Sequence, residues 1–319
     1  MLPSLPAINP GALTGTVLAA AAVSYLVQRT LKANGGKRTK TIKANEERVL
    51  ILGASSGLGR TVAKRYAARD ARICIVARRA EQLSILAREL GDSCIWVVAD
   101  FTSAEDMVRV RERLLAEWGG LDSLHVCAGV SAVQPVMALT GVKSGEEDAD
   151  LPGVRKAADI VARATEGNVY GPFIAAVTFI PMLTRTSKSP SILLISSVAA
   201  VVPAPTRALY AATKASSLLL FQSLAIEHPK IAFTFVLPAT IEGNFRASAV
   251  DANPTQEAAP NKHGLKLDYV AKRCVDAVDG RVRDNVVIPW FPYALAHHLY
   301  YIWPSLIEGR ARKKYNFES

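Results

Sequence analysis

Tyr210 and Lys214 stand four residues apart, so on a helix they share one face about 6 Å apart along the axis. Ser197 lies thirteen residues before the tyrosine, just beyond an apolar run at residues 192–195. A phenol that titrates near ~10 exchanges protons poorly at neutral pH. One cation roughly 4 Å away, at an effective dielectric of about 20, favours the phenolate by ~4 kcal/mol, or about three pKa units. Lys214 is therefore expected to bring Tyr210 near neutrality, while Ser197 holds a substrate oxygen against the phenol. The chemistry implied is proton transfer at a carbonyl or alcohol oxygen, useful mainly beside a hydride carrier. The pair alone is a weak signal, because aromatic and lysine side chains at helical spacing ordinarily just pack and solvate.

A hydride carrier needs a cradle, and the segment around residue 50 reads as one. Residues 49–52 form a short apolar strand that runs straight into Gly53-Ala54-Ser55-Ser56-Gly57-Leu58-Gly59, followed by helical composition over residues 61–69. Such a turn lets the backbone approach a pyrophosphate and presents the positive helix N-terminus to it. The second strand, residues 73–76, ends in Ala77-Arg78-Arg79. An acid near that place would bind a ribose 2′-hydroxyl and repel a 2′-phosphate; here arginine stands beside it. Arg78 is thus expected to pair with the 2′-phosphate, and NADP(H) to be preferred over NAD(H). A third strand at residues 95–99 ends at Asp100, placed for the adenine ring, and a fourth from residue 124 leads to Ala128 and Gly129. Strands and helices alternating at these lengths predict a single-domain α/β fold, a Rossmann-type doubly wound parallel sheet. Ligands in such sheets sit beyond the strand C-termini, where Gly53, Asp100, Gly129 and Ser197 all fall.

Over residues 48–280 the chain resembles the short-chain dehydrogenase/reductase family. The resemblance is carried by Gly53, Gly57 and Gly59, Asp100, the Ala128-Gly129 pair, Asn168 in Asn-Val-Tyr-Gly, Ser197, and Tyr210 with Lys214. It implies that Tyr210 is the acid/base, that Ser197 orients the substrate oxygen, and that Lys214 tunes the phenol and holds the nicotinamide ribose. Asn168 would position a water that relays protons to Lys214. Cofactor contacts are implied for Gly53, Ser55, Ser56, Gly57, Leu58, Gly59, Arg78, Asp100, Ala128 and Gly129, and for Asn168, Tyr210, Lys214, Pro238 and Ile241. Three positions depart from the family pattern: Leu52 replaces a usual Thr, Val126-Cys127 a usual Asn-Asn, and Pro238-Ala239 a usual Pro-Gly. The layout is similar to the membrane-attached hydroxysteroid and retinol dehydrogenases and to long-chain ketone reductases. A homodimer or tetramer through the helices carrying Asn168 and Tyr210 is implied as well.

Composition limits the rest. With 50% hydrophobic and 21% charged residues, 319 residues suit one large α/β domain with appendages and argue against disorder. Four scattered cysteines form no Cys-x-x-Cys, and no histidine cluster offers metal ligands, so neither a disulfide frame nor a metal site is expected. The net charge of +10 gathers in two blocks, Arg29 to Lys43 and Arg310 to Lys314. Both flank apolar segments, which favours anionic lipid headgroups over nucleic acid as the partner.

Residues 8–27 carry no charge and as a helix would span about 30 Å, enough for one bilayer crossing. A secretory signal competes, but the basic residues follow the apolar run instead of preceding it. The expected organisation is a membrane anchor and basic linker (residues 1–46), a catalytic domain facing the cytosol (47–288), and an aromatic, basic C-terminal segment (289–319). Endoplasmic reticulum or lipid droplet is the expected membrane. Residues 144–150 read as an acidic surface insertion and residues 240–267 as a mobile lid. The aromatics Trp290, Phe291, Tyr293, Tyr300, Tyr301 and Trp303 suit a membrane-lying segment, core packing or a dimer contact equally. The function expected is an NADPH-preferring oxidoreductase that interconverts a carbonyl and a secondary alcohol on a lipophilic substrate. A non-catalytic nucleotide-binding membrane scaffold or sensor is the alternative, and a sugar-nucleotide epimerase, which needs a larger C-terminal substrate region, a third reading.

Overall fold

The computed structural model describes residues 38–142, 147–251 and 263–317; the expected anchor at residues 8–27 lies outside them. Seven strands, β1 (Arg48–Leu52), β2 (Arg72–Ala77), β3 (Cys94–Val98), β4 (Ser123–Val126), β5 (Ser191–Ile195), β6 (Ala232–Pro238) and β7 (Asn285–Ile288), form one sheet. All neighbours are parallel, in the order β3-β2-β1-β4-β5-β6-β7. The expected doubly wound sheet is the one observed. The order reverses between β1 and β4, which opens a crevice outside their C-terminal ends.

Helices α1 (Gly57–Ala67), α2 (Ala80–Leu90), α3 (Ala104–Trp118), α4 (Leu151–Thr165) and α5 (Gly171–Thr186) are followed by α6 (Ala208–Glu227) and α7 (Leu267–Asp279). Two more, α8 (Trp290–Ile302) and α9 (Pro304–Tyr315), follow β7. The strands read as continuous apolar runs because helices cover both faces. Val49 and Ile51 enter the core shared with Val62 of α1, Leu83 of α2 and Val270 of α7. Leu50 and Leu52 enter the opposite core, with Val110 of α3, Phe179 of α5 and Phe221 of α6. That period-two split is what fixes the register of each strand relative to its helices.

Helices α4 and α5 run on through a π-helical turn, Glu166–Tyr170, that places Asn168 inside the fold. The stretch Leu151–Thr186 and the helix Ala208–Glu227 are both long and apolar enough to cross a membrane. Helices α5 and α6 pack one side on the sheet, with Phe179 and Phe221 in its core, while Phe173, Val177, Leu219 and Ile226 remain exposed. Asp150 caps α4 by accepting from the Gly153 amide at 2.7 Å, so one acid of the expected surface insertion has a structural task. Residues 143–146 of that insertion lie outside the described residues.

The stretch expected as a polar linker is built into the fold from Arg38 onward. Arg38 is buried; it donates to the carbonyls of Ser189 and Asp122, each at 2.8 Å, and pairs with Glu47. A guanidinium carries five donors, and here the fork meets acceptors from three segments of the chain. Its charge therefore faces the protein interior instead of lipid headgroups.

Candidate functional site

Ser197 follows β5 and caps a short 3₁₀ turn, Val198–Ala200, its Oγ accepting from the Ala199 amide at 3.1 Å. Tyr210 and Lys214 fall in the first turns of α6, on one face as their spacing requires. Lys214 is only 4% exposed, and its Nζ donates to the Ile195 carbonyl at 3.0 Å. A Cβ on Gly129 would stand 2.8 Å from Asn168 Oδ1 and 3.0 Å from Lys214 Nζ. Any side chain there would displace the ammonium, so the glycine is what lets the loop after β4 meet α6.

Asn168 is 1% exposed and fully engaged. Its Oδ1 accepts from Val130 N at 2.9 Å, while its Nδ2 donates to Val130 O at 2.9 Å and to Thr213 Oγ1 at 3.0 Å. The side-chain amide thus clamps the β4 loop to α6.

The electrostatics differ from the expectation at one point. Burial raises the Tyr210 phenol above its ordinary value, and the facing Ser197 hydroxyl and the Arg207 charge pull it part of the way back. Burial also pushes Lys214 down to about 8. The Lys214 ammonium donates to the Ile195 carbonyl, and Arg207, which the sequence did not single out, adds its charge beside the phenol.

The glycine turn divides its work. Gly53 has φ +87°, and a Cβ on it would lie 2.6 Å from Ala128 N, so this glycine permits the close approach of two loops. Gly57 has φ +54° with open space where its Cβ would be. Ser56, the N-cap of α1, makes no side-chain cap, which leaves the first-turn amides at Gly57, Leu58 and Gly59 for a ligand. Uncapped donors at a helix N-terminus, beside an open cradle, fit a pyrophosphate.

Arg78 and Arg79 both stand at the rim beyond β2 but do different things. The Arg78 side chain is 73% exposed, with its Nη1 3.6 Å from the Asp100 carboxylate. Asp100 accepts from Thr102 N at 3.0 Å and from Thr102 Oγ1 at 2.9 Å. Arg79 folds over the glycine turn, donating to Ser55 Oγ at 2.8 Å and Ser56 Oγ at 2.6 Å. Gly53, Ser55, Ser56, Gly57, Leu58 and Gly59 line a single cavity of about 1600 Å³. Arg78, Asp100, Ala128, Gly129, Pro238 and Ile241 line the same space, as do Ser197, Tyr210 and Lys214. Asn168 lies behind Gly129, outside the lining.

Two of the departures from the family pattern lie in the packed interior of the sheet. Leu52 and Val126 are fully buried and paired across β1 and β4, and Cys127 N donates to Leu52 O at 3.0 Å.

Several site residues gave little signal in the sequence. Arg79 was visible only as the second of two arginines. Arg207 carries no motif, yet it lines the cavity beside Tyr210 and donates to Ala132 O at 3.0 Å. Asp251, buried, accepts from the Val133 and Gln134 amides at 2.8 Å, which pins part of the expected lid to the loop after β4. Residues 252–262 of that lid lie outside the described residues. Among the described residues no group of His, Cys, Asp and Glu is arranged to hold a metal.

The chain matches the family model described as short chain dehydrogenase over residues 47–254. It is 31% identical over 285 residues to 11-beta-hydroxysteroid dehydrogenase 1A of Arabidopsis thaliana, a match covering 84% of this chain and 75% of the relative. Identity to 11-beta-hydroxysteroid dehydrogenase A of Sesamum indicum is 34% over 199 residues, covering 61% of this chain and about half, 52%, of that relative's length. The fold is shared with a short chain dehydrogenase/reductase from Burkholderia phymatum solved in complex with NAD, at a TM-score of 0.65 and 18% identity, over 78% of this chain and 91% of that one. The chain belongs to the short-chain dehydrogenase/reductase family.

Proposed function

We propose that the protein is an NADPH-preferring oxidoreductase that interconverts a carbonyl and a secondary alcohol on a lipophilic substrate. The observation that carries this reading is one cavity that joins Ser197, Tyr210 and Lys214 to the uncapped glycine turn. NADP(H), when bound, supplies or accepts the hydride. In reduction Tyr210 protonates the carbonyl oxygen while Ser197 holds that oxygen in place. Lys214, with a pKa of about 8, is mostly cationic at neutral pH and within reach of ribose hydroxyls across Gly129. Asn168 keeps Gly129 and Lys214 in register through its bonds to Val130 and Thr213.

The 2′-phosphate falls to two arginines in this reading, Arg78 with its free reach and Arg79 with the Ser55 and Ser56 hydroxyls. Hydrogen bonds to a charged group contribute about 1.5–3 kcal/mol each, so losing either arginine narrows the NADPH over NADH preference about tenfold or more. The names of the plant relatives support a lipophilic substrate, and residues 8–27 supply the membrane anchor, with the catalytic domain on the cytosolic side of endoplasmic reticulum or lipid droplet. Exposed Phe173 and Val177 on α5, with Leu219 and Ile226 on α6, give a second copy an apolar face to cover.

The test is oxidation of NADPH and NADH against steroid, retinoid, long-chain ketone and small aromatic carbonyls, with Tyr210→Phe as the control. Turnover that disappears in Tyr210→Phe, while NADPH still binds, supports the mechanism; turnover retained in that variant removes Tyr210 from it. Tight NADPH binding with no turnover on any carbonyl replaces the enzyme by the scaffold reading. Deleting residues 1–34 should release the protein from membranes, and complete retention would move the anchor to the C-terminal segment.

A further inference from the structure

The cavity has two halves with different chemistry. At one end the glycine turn, Arg78 and Arg79 serve the cofactor. At the other, beyond Tyr210, the walls are apolar: Phe245 stands edge-on to the Tyr210 ring at 6.2 Å, and Phe291, Leu295, Leu299 and Ile307 of the C-terminal segment face the same space.

Set into those apolar walls are four cations, Arg207, Arg246, Arg310 and Lys314. Among the described residues none of them is ion-paired with a carboxylate. Lys314 donates to the Tyr293 hydroxyl at 3.0 Å and lies 5.2 Å from that ring and 5.9 Å from the Tyr315 ring. Arg207 spends one donor on Ala132 O, which fixes its guanidinium beside the phenol and leaves its other donors unused by the described protein. The acids that line the cavity are occupied elsewhere. Glu242 pairs with Lys266 at 2.8 Å, Asp100 belongs to the cofactor half, and Glu166 lines the cavity together with Arg163. Asp251, near Arg207, spends its carboxylate on two backbone amides.

Arg207 is half-buried and loses hydration, whereas Arg246, Arg310 and Lys314 stand exposed around the apolar space; gathered there, the like charges repel each other. The Arg207 guanidinium registers both effects, its pKa lowered by burial first and by the Arg246 charge next. A ligand that brings negative charge relieves both. An uncharged steroid or long-chain ketone would leave the Arg207 charge uncompensated within the pocket.

We infer that the substrate is an anionic amphiphile, an apolar body bearing a carboxylate or phosphate group that Arg207 and Arg246 hold beside Tyr210 and that Arg310 and Lys314 attract at the mouth. This rests on the reductase reading for turnover, but binding tests it separately. With the enzyme saturated with NADPH, so that anions cannot enter the cofactor end, decanoate and decyl phosphate are titrated calorimetrically against 1-decanol. In parallel, kcat/KM is measured for 4-oxododecanoate against its methyl ester and for the phosphate monoester of 1-hydroxy-2-dodecanone against its parent alcohol.

The anions should bind at least tenfold more tightly than decanol, and the charged ketones should exceed their neutral partners in kcat/KM by a similar factor, chiefly through KM. Arg246→Gln and, independently, Arg310→Gln should shrink these ratios severalfold; both side chains are surface groups without a described pairing partner, so the fold should tolerate the changes. The carboxylate and phosphate arms tell which headgroup fits. Neutral and charged probes that bind alike, or ratios unmoved in both variants, overturn the inference whether or not turnover is found. Anion-selective, Arg246-dependent binding without turnover upholds it while removing the reductase reading.

Discussion

An ammonium held at 4% exposure against one carbonyl oxygen, as Lys214 is, opposes folding. Its pKa falls from 10.5 to about 8, and a shift of that size corresponds to roughly 3 kcal/mol of disfavoured charge. The sign follows from the direction: below pH 8 both folded and unfolded chains carry the proton and the penalty is full, and it fades as pH rises from about 8 toward 10.5. Lys214→Met, close in volume, should therefore raise thermal stability at pH 7 by roughly 1–2 kcal/mol after loss of the Ile195 hydrogen bond, and that gain should shrink toward pH 10.5. The same variant should have no turnover. A melting temperature unchanged across that pH range would show that water reaches Lys214. At this scale Ser197, Tyr210 and Lys214 were singled out by the glycine turn, Asp100, Gly129 and Asn168 that precede them in order, the tyrosine–lysine spacing alone being a weak signal. The electrostatic relation between them was not legible, since it depends on which way the ammonium points and on Arg207, a residue without a sequence signature.

At the scale of elements, two buried ion pairs fasten the end of the sheet opposite the cavity. Asp122 accepts from Arg48 N at 3.1 Å, Nε at 2.7 Å and Nη2 at 2.9 Å, which joins the start of β1 to the residue before β4. Burial pushes the Asp122 carboxyl up, but hydrogen bonds from Arg48 and Ser187 and the Arg48 charge outweigh it and hold the group below its ordinary value. A carboxyl shifted down adds stability that is present above its unfolded pKa, near ~3.8, and is lost as pH falls through the lower folded value. Asp122→Asn should cost roughly 2 kcal/mol at pH 6 in urea unfolding, with the difference from the native protein narrowing below about pH 4. Arg38→Met, which removes the donor to the Ser189 carbonyl and the Glu47 pair while the Asp122 carbonyl keeps the Ser191 amide, should cost roughly 3 kcal/mol, read as a lower urea midpoint. The strands and the helix after the glycine turn were legible because apolar runs and glycines mark them to within a few residues, whereas the helices at residues 80–90, 151–165 and 171–186 were not delimited. Arg38 was not legible: an arginine in a basic, acid-free run carries no sign of the Ser189 and Asp122 carbonyls that bury it. Asp251 was hidden for the same reason, its amide partners lying more than a hundred residues away.

At the scale of the whole molecule, self-association should use the exposed apolar faces of α5 and α6. Val177→Glu combined with Leu219→Glu should give a monomer by light scattering under conditions where the native chain is a dimer or tetramer; a native monomer would remove that assembly. The C-terminal segment was the least legible part. Its aromatics suited a membrane, a core or a dimer contact equally, and only the packing of α8 and α9 brings Phe291, Tyr293, Arg310 and Lys314 to the cavity.

Because nucleotide cradle and C-terminal helices line one uninterrupted space, a single synthetic molecule could reach from one to the other. An inhibitor built that way would draw affinity from the glycine turn at one end and from Arg246, Arg310 and the aromatic wall at the other.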